Sequence, residues 1–333
     1  MRVCVTGGTG FLGSYLVHDL LANGAEVCVL ARPSQRAGTL AAQGVRVVHG
    51  DVRDADSLLS AVQRADIVYH LAARVGSAPP NSYFETNVAG TEHVLHACAK
   101  SGVGKFVYAS SLAVYGPVRE GERIDESTAF DSQPQLRDPY SESKIAADRL
   151  VSAFAKQSGM PTVILREGII FGAGRRLPAG IFAFRLGRTD VVFGRPANHF
   201  PLNYVENLID AMQAAAVAEG PGLCEFNVLD DDDLTLGRYH ELKRAADHST
   251  THFASRWPLY VASPFAEVLR PVIPMGDTRL SRHQLRRSVQ DRFYDTGRIR
   301  RETGWRPRVS LEEAIRRTLT ETKPFAMTRA HQP

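Results

Sequence analysis

Tyr140 and Lys144 close the run Tyr140-Ser141-Glu142-Ser143-Lys144. On a helix this spacing puts a phenol and an ammonium one turn apart on the same face. A phenol with its ordinary pKa of about 10 is a poor acid or base at neutral pH, and a nearby cation favours its ionised form. Tyr140 so placed can protonate a developing alkoxide, or take a proton from an alcohol, while hydride moves at the adjoining carbon. Surface helices produce the same spacing by chance, so the pair gains its meaning from its surroundings. Upstream, Tyr108-Ala109-Ser110-Ser111-Leu112-Ala113-Val114-Tyr115-Gly116 reads as a strand running into a turn. A hydroxyl there, from Ser110 or Ser111, can hold a substrate oxygen beside Tyr140; the alternative is a serine that only caps the strand.

A second set of residues suits a dinucleotide. Thr6-Gly7-Gly8-Thr9-Gly10-Phe11-Leu12-Gly13 follows an apolar run and opens a helical pattern. Gly7, Gly10 and Gly13 permit a tight turn and a close approach of backbone to pyrophosphate, and the helix N-terminus offers free N–H groups to it. At the end of the next apolar run, where NAD binders usually carry an acidic ribose reader, stands Arg32. A guanidinium there suits a 2′-phosphate, with Arg36 to assist, or it stacks on adenine without selecting phosphate. NADP is the expected cofactor, with NAD as the other choice.

These residues need a frame. Short runs rich in Val, Ile and aromatics at 3–5, 27–30, 45–49, 67–71, 106–110 and 162–166 read as strands buried on both faces. Helical spacing fills 12–23, 56–63, 87–101 and 141–156, with Gly24, Gly44 and Gly102 as stops. The alternation predicts an α/β, Rossmann-type doubly wound parallel sheet over residues 1–166. Residues 167–333 are expected to form a smaller, mainly substrate-binding lobe, with room for interleaving. There Gly and Pro become frequent, a helix reads over 205–218, and the acidic run from Asp230 to Asp233 reads as a solvated loop capping the next helix. A helical signature covers 294–322, with Ser310 as a cap before Glu312 and Glu313.

With 44% hydrophobic and 23% charged residues the chain composes as an ordinary globular protein. A formal charge of +4 over 333 residues, with Lys and Arg dispersed, does not argue for nucleic acid. Cys4, Cys28, Cys98 and Cys224 have no metal-like spacing, and no metal is expected. Reduced thiols, an N-terminus already committed to a strand and the lack of a long apolar run point to a cytoplasmic protein without a membrane span.

The motifs T-G-G-T-G-F-L-G, Gly50-Asp51-Val52, His70-Leu71-Ala72-Ala73, Asn87-Val88-Ala89-Gly90-Thr91, S-S-L-A-V-Y-G, Y-S-E-S-K and Gly304-Trp305-Arg306-Pro307 together resemble the extended short-chain dehydrogenase/reductases. The resemblance implies Ser111, Tyr140 and Lys144 as catalytic residues and Asp51 and Val52 beside adenine. It further implies Leu71, Ala72 and Ala73 along the cofactor, and Asn87 near the active site or bracing it. It also implies a homodimer. Family dehydratases carry carboxylates after the serine, where this chain has Leu112 and Ala113, so dehydration is not expected. Sugar-nucleotide enzymes carry an Asn near Ile169 and Ile170 and an Arg near Phe200. Their replacement suggests an apolar or uncharged small-molecule substrate, as in members similar to 3β-hydroxysteroid dehydrogenases and dihydroflavonol reductases. Glu167 stands where relatives have Pro or an aromatic; it can touch substrate, tune Tyr140, or pair with Arg166 or another base. The arginines from Arg279 to Arg287 read as a solvated helix face, or else reach an anionic substrate. His70 and His199 receive no role. The expected activity is reduction of a ketone or aldehyde, or oxidation of a secondary alcohol. The alternatives are a sugar-nucleotide epimerase with retained NAD and a non-catalytic dinucleotide sensor.

Overall fold

Alternate residues of the apolar runs serve opposite sides of one sheet. In β1 (Arg2–Thr6), Val3 and Val5 join one core and Cys4 the other. The computed structural model describes residues 1–119, 121–181, 183–220, 222–255, 257 and 290–321. After β1 come α1 (Phe11–Ala22), β2 (Glu26–Ala31), α2 (Gln35–Ala42), β3 (Arg46–His49), α3 (Ala55–Val62) and β4 (Ile67–His70). The chain continues through α4 (Pro80–Phe84), a π turn (Glu85–Ala89), α5 (Gly90–Ser101), β5 (Lys105–Ala109), β6 (Arg123–Ile124) and α6 (Pro139–Ser158). The second half holds β7 (Thr162–Glu167), β8 (Ile169–Phe171), β9 (Ala183–Leu186), β10 (Thr189–Phe193) and β11 (Leu202–Tyr204). It ends with α7 (Val205–Val217), β12 (Leu223–Val228), α8 (Leu236–Asp247), β13 (Thr250–Ala254), β14 (Phe293–Tyr294), α9 (Gly297–Thr303) and α10 (Leu311–Thr320).

Seven parallel strands make the main sheet in the order β12-β7-β5-β4-β1-β2-β3. The chain winds outward from β1 to β3, then returns to β4 on the other side of β1. The resulting switch point lies at the C-terminal ends of β1 and β4, where such sheets open a crevice. Helices α1 and α7 cover one face; α3, α5 and α6 cover the other. All four cysteines are buried thiols. The fold class is therefore the doubly wound α/β sheet that the apolar runs predict.

Residues beyond 166 complete this sheet rather than standing apart, because β12 forms its edge against β7. Three small sheets, β11-β8, β13-β10-β9 and β14-β6, lie outside it. Three local expectations are corrected. The helix expected over 87–101 begins as the π turn, and the one over 294–322 is two helices, because Gly304 (φ +72°) ends α9 and Pro307 blocks its continuation. The acidic run is not a helix cap: Thr235 caps α8. Asp230 instead accepts from Tyr204 N and Asn207 Nδ2 at 2.9 Å each, and Asp232 from Thr296 Oγ1 at 2.6 Å. The arginines from Arg279 to Arg287 lie outside the described residues.

Candidate active site

The C-terminal edge of the sheet carries the site in strand order. Glu167 ends β7, Ser111 follows β5, Leu71 follows β4, Gly7 follows β1, Arg32 follows β2 and Asp51 follows β3. Between β1 and α1 the turn has no room for side chains. Gly7 adopts φ +74°, and a Cβ on it would lie 2.7 Å from Ala72 N; one on Gly13 would lie 2.2 Å from Gly7 O. Gly10, the N-cap of α1, provides no side-chain cap, so the first N–H groups of the helix stay open. They face a cavity of ≈ 510 Å³ that Gly7, Gly10, Phe11, Leu12 and Gly13 share with Leu71 and Ala73. An uncapped helix start on a glycine edge fits a diphosphate by charge and by space.

Arg32 lies on the outer rim, its side chain 73% exposed and its Nε 4.0 Å from Asp51 Oδ2. Asp51 is already held by both prongs of Arg53, at 3.0 and 2.9 Å, which keeps its carboxyl below the usual range. Arg36 donates to Thr9 O at 3.2 Å. Two guanidiniums, Arg53 and Arg32, thus flank one carboxylate at the ends of β2 and β3. Val52 is buried against Gly90, and Ala72 N donates to Thr6 Oγ1 at 3.3 Å, so both shape the wall from behind.

At the other end the cavity brings together Ser111, Tyr140 and Lys144. The two serines differ in their partners. Ser110 is fully buried and donates to Asp148, whereas Ser111 faces the cavity and hydrogen-bonds Tyr140. Helix α6 carries Tyr140 and Lys144 because Asp138 caps it through Ser141 N at 2.9 Å and Pro139 starts it. The ammonium does not point at the phenol: Lys144 Nζ donates to Ala109 O at 2.6 Å and Tyr108 OH at 3.2 Å. Burial pushes Lys144 down to about 8, while Glu167 and Asp148 hold it up. Burial pushes the Tyr140 phenol above its ordinary value and Glu167 adds to this; the Ser111 hydrogen bond opposes both. The sequence-based expectation of a phenol depressed by Lys144 is not what the protein's own groups produce.

Asn87 does not reach the cavity. Its Oδ1 accepts from Arg74 N at 2.6 Å and its Nδ2 donates to Ser143 Oγ at 2.9 Å, tying the loop after β4 to α6. Glu167 does line the cavity, and the pairing with Arg166 does not form. Arg166 is taken by Asp148 at 3.0 Å and Glu225 at 2.6 Å. Burial raises the Glu167 carboxyl to about 8, against the pull of Lys144. His70 is buried between Thr6 and Thr91, and burial lowers it to about 3, so it stays neutral.

The far wall mixes Leu112, Ile169, Ile170 and Pro201 with Arg175, His199, Gln290 and Arg292. Sequence reasoning missed Arg175, Gln290 and Arg292 and gave His199 no role. Arg175 had one signal, the Gly172-Ala173-Gly174 turn before it; Arg292 had none, since it reaches the site only through the β14–β6 pairing. Phe200 is not part of this wall: it is 1% exposed and packs edge-on against Tyr239 at 5.0 Å. Among the described residues no helix is long and apolar enough to cross a membrane, and no group of three or more His, Cys, Asp or Glu is placed to hold a metal.

Residues 3–228 match the model of the NAD dependent epimerase/dehydratase family. A 3 beta-hydroxysteroid dehydrogenase/Delta 5-->4-isomerase of Mycobacterium tuberculosis is 30% identical, with 97% of this chain and 90% of that protein aligned. A 2-alkyl-3-oxoalkanoate reductase of Stenotrophomonas maltophilia is 29% identical over 95% of this chain and 98% of its own. Among solved structures, the UDP-glucose 4-epimerase of Thermus thermophilus in complex with NAD superposes with a TM-score of 0.71 at 25% identity, covering 97% of this chain and 99% of its own.

Proposed function

This chain belongs to the NAD-dependent epimerase/dehydratase family, as an extended short-chain dehydrogenase/reductase, and from that premise we propose that it reduces a ketone or aldehyde, or oxidises a secondary alcohol, by hydride transfer assisted by Ser111, Tyr140 and Lys144. One observation carries the reading: a Ser–Tyr pair and a buried ammonium share a cavity with the open N-terminus of α1. A nicotinamide dinucleotide held there would supply or accept the hydride. Its diphosphate fits the Gly10 end of α1, with Gly7, Phe11, Leu12 and Gly13 beneath it and Leu71, Ala72 and Ala73 alongside. Asp51 and Val52 would flank adenine, and Asn87 braces the wall.

Ser111 Oγ and Tyr140 OH together hold the reacting oxygen, and Tyr140 moves the proton to or from it. Two Lys144 protons are committed to Ala109 O and Tyr108 OH, leaving the third for the cavity. Its charge favours the phenolate once cofactor and substrate exclude water. Arg32, with Arg36 and Arg53 near, supplies positive charge for a 2′-phosphate and supports NADP over NAD. The two relatives, a hydroxysteroid dehydrogenase and an oxoalkanoate reductase, share by name a carbonyl or alcohol on an apolar frame, which Leu112, Ile169 and Ile170 suit. Residues beyond 167 choose the substrate, and a homodimer accompanies the family reading.

Arg175 and Arg292 on the same wall favour a second reading, an epimerase of an anionic sugar nucleotide with NAD retained. Denaturing the purified protein and assaying released nucleotide separates the two. The reductase reading expects an empty site that binds NADPH from solution; stoichiometric NAD on the purified chain overturns it in favour of the epimerase.

A further inference from the structure

Lys144 is 3% exposed, yet both of its hydrogen bonds end on neutral oxygens, Ala109 O and Tyr108 OH. An ammonium taken out of water without a counter-charge is strongly disfavoured. Its nearest candidate on α6, Asp148, is already spent. Both Asp148 oxygens accept from Arg166, at 3.0 Å each, and Ser110 adds a further donor. Glu167 is in the opposite position. It ends β7 one residue after Arg166, where strand alternation turns it away from that guanidinium. It lines the cavity beside Tyr140 and Lys144, and its Oε2 is sealed from solvent without a hydrogen-bond partner. The backbone beyond it is fixed by Gly168 N to Asn203 Oδ1 at 2.8 Å and Ile169 N to Pro201 O at 2.9 Å. A buried cation lacking a carboxylate thus shares the cavity with a half-buried carboxylate whose sealed Oε2 lacks a partner.

We propose that Glu167 is a positioning residue: its carboxylate is the counter-charge of Lys144 and, through it, sets the ionisation of Tyr140 and the pH window of hydride transfer. This rests on the reductase reading for its kinetic consequence but not for the ionisation itself. The charged and titratable groups around Glu167 are Tyr140, Lys144 and Asp148 from α6, Tyr108 from β5, and Arg175, His199 and Arg292 across the cavity. Arg175 stacks on Phe11 at 4.4 Å, His199 pairs with Asp291 at 3.1 Å, and Arg292 donates to Gly116 O at 2.6 Å. Lys144 is the cation that opposes the burial of the Glu167 carboxyl. Reciprocally, Glu167 props up the Lys144 proton and raises the Tyr140 phenol. Removing its charge therefore lowers the proton affinity of both groups.

Two measurements on the full chain test this. The first compares pH profiles of kcat/KM for the native protein, Glu167→Gln and Glu167→Asp. Both limbs of the Gln profile should move to lower pH by about one unit, a roughly tenfold rate change at fixed pH on the basic side. Asp should recover part of the shift. A Gln profile that scales uniformly onto the native one, as a merely structural role gives, overturns the proposal. The second follows glutamate side-chain carboxyls by 13C NMR titration. The native protein should show one that titrates well above the ordinary range of about 4.3. It should vanish in Glu167→Gln and rise further in Lys144→Met. A Glu167 carboxyl that titrates at the same pH with and without the Lys144 ammonium overturns the proposal, whether or not any ketone is turned over.

Discussion

Lys144 and Arg32 show how differently burial treats two cations of one site. At Lys144 the surroundings lower the proton affinity to about 8. The ammonium is intact below that value and lost above it, so turnover should fall as pH rises through about 8. A Lys144→Arg variant, which keeps its charge, should retain whatever activity it has at high pH; an unchanged basic limb in that variant would assign the limb elsewhere. Arg32 is exposed, and its proposed role is to select phosphate. Arg32→Asp should weaken NADPH at least tenfold relative to NADH, by the loss of about 1.5–3 kcal/mol of charge-assisted bonding. Fluorescence titration with both nucleotides checks this, and an unchanged ratio contradicts the ribose assignment. The Tyr140/Lys144 pair stood out because its spacing is local, whereas Ser111 was told from Ser110 only by the family resemblance. Arg175 and Arg292 were not legible, because no periodicity marks a residue whose place comes from a loop or a two-residue strand pairing.

Helix α1 and the turn before it are the element on which the proposed dinucleotide binding depends, and their glycines differ in what surrounds them. Gly13 is packed against Gly7 O, while a Cβ on Gly10 would meet only Gly7 O, at 3.1 Å, and otherwise face the cavity. Gly13→Ala should therefore cost stability, about 1–3 kcal/mol, along with cofactor affinity. Gly10→Ala should spare the melting temperature and still weaken the dinucleotide. Thermal unfolding beside nucleotide titration distinguishes them; equal effects of the two on stability would contradict this division. At this scale the sequence was readable wherever strands were buried on both faces and helices had apolar stripes. It was not readable in β8, β11 and β14, which are two or three residues long, or at β12, whose partner β7 lies some sixty residues earlier. The acidic run misled because Asp230 is drawn inward by Tyr204 N and Asn207, a tertiary event without a local signature.

Across the whole molecule the sheet edge acts as a ruler. The charge proposed to select phosphate stands at β2 and β3, the open helix start at β1, and the proposed proton-transfer set at β5, α6 and β7. A buried network of Ser110, Asp148, Arg166, Glu225 and Tyr115 ties α6 to three strands beneath that set. Breaking it would leave a guanidinium buried without its partner, so the placement of Tyr140 depends on residues from both halves of the chain. The most direct test of the account uses NADPH deuterated at the transferable position and a panel of apolar ketones and 3-oxo acids. The native protein should place deuterium on the carbinol carbon of at least one product, and Tyr140→Phe should bind NADPH normally and place none. Undiminished deuterium transfer by Tyr140→Phe would contradict the account.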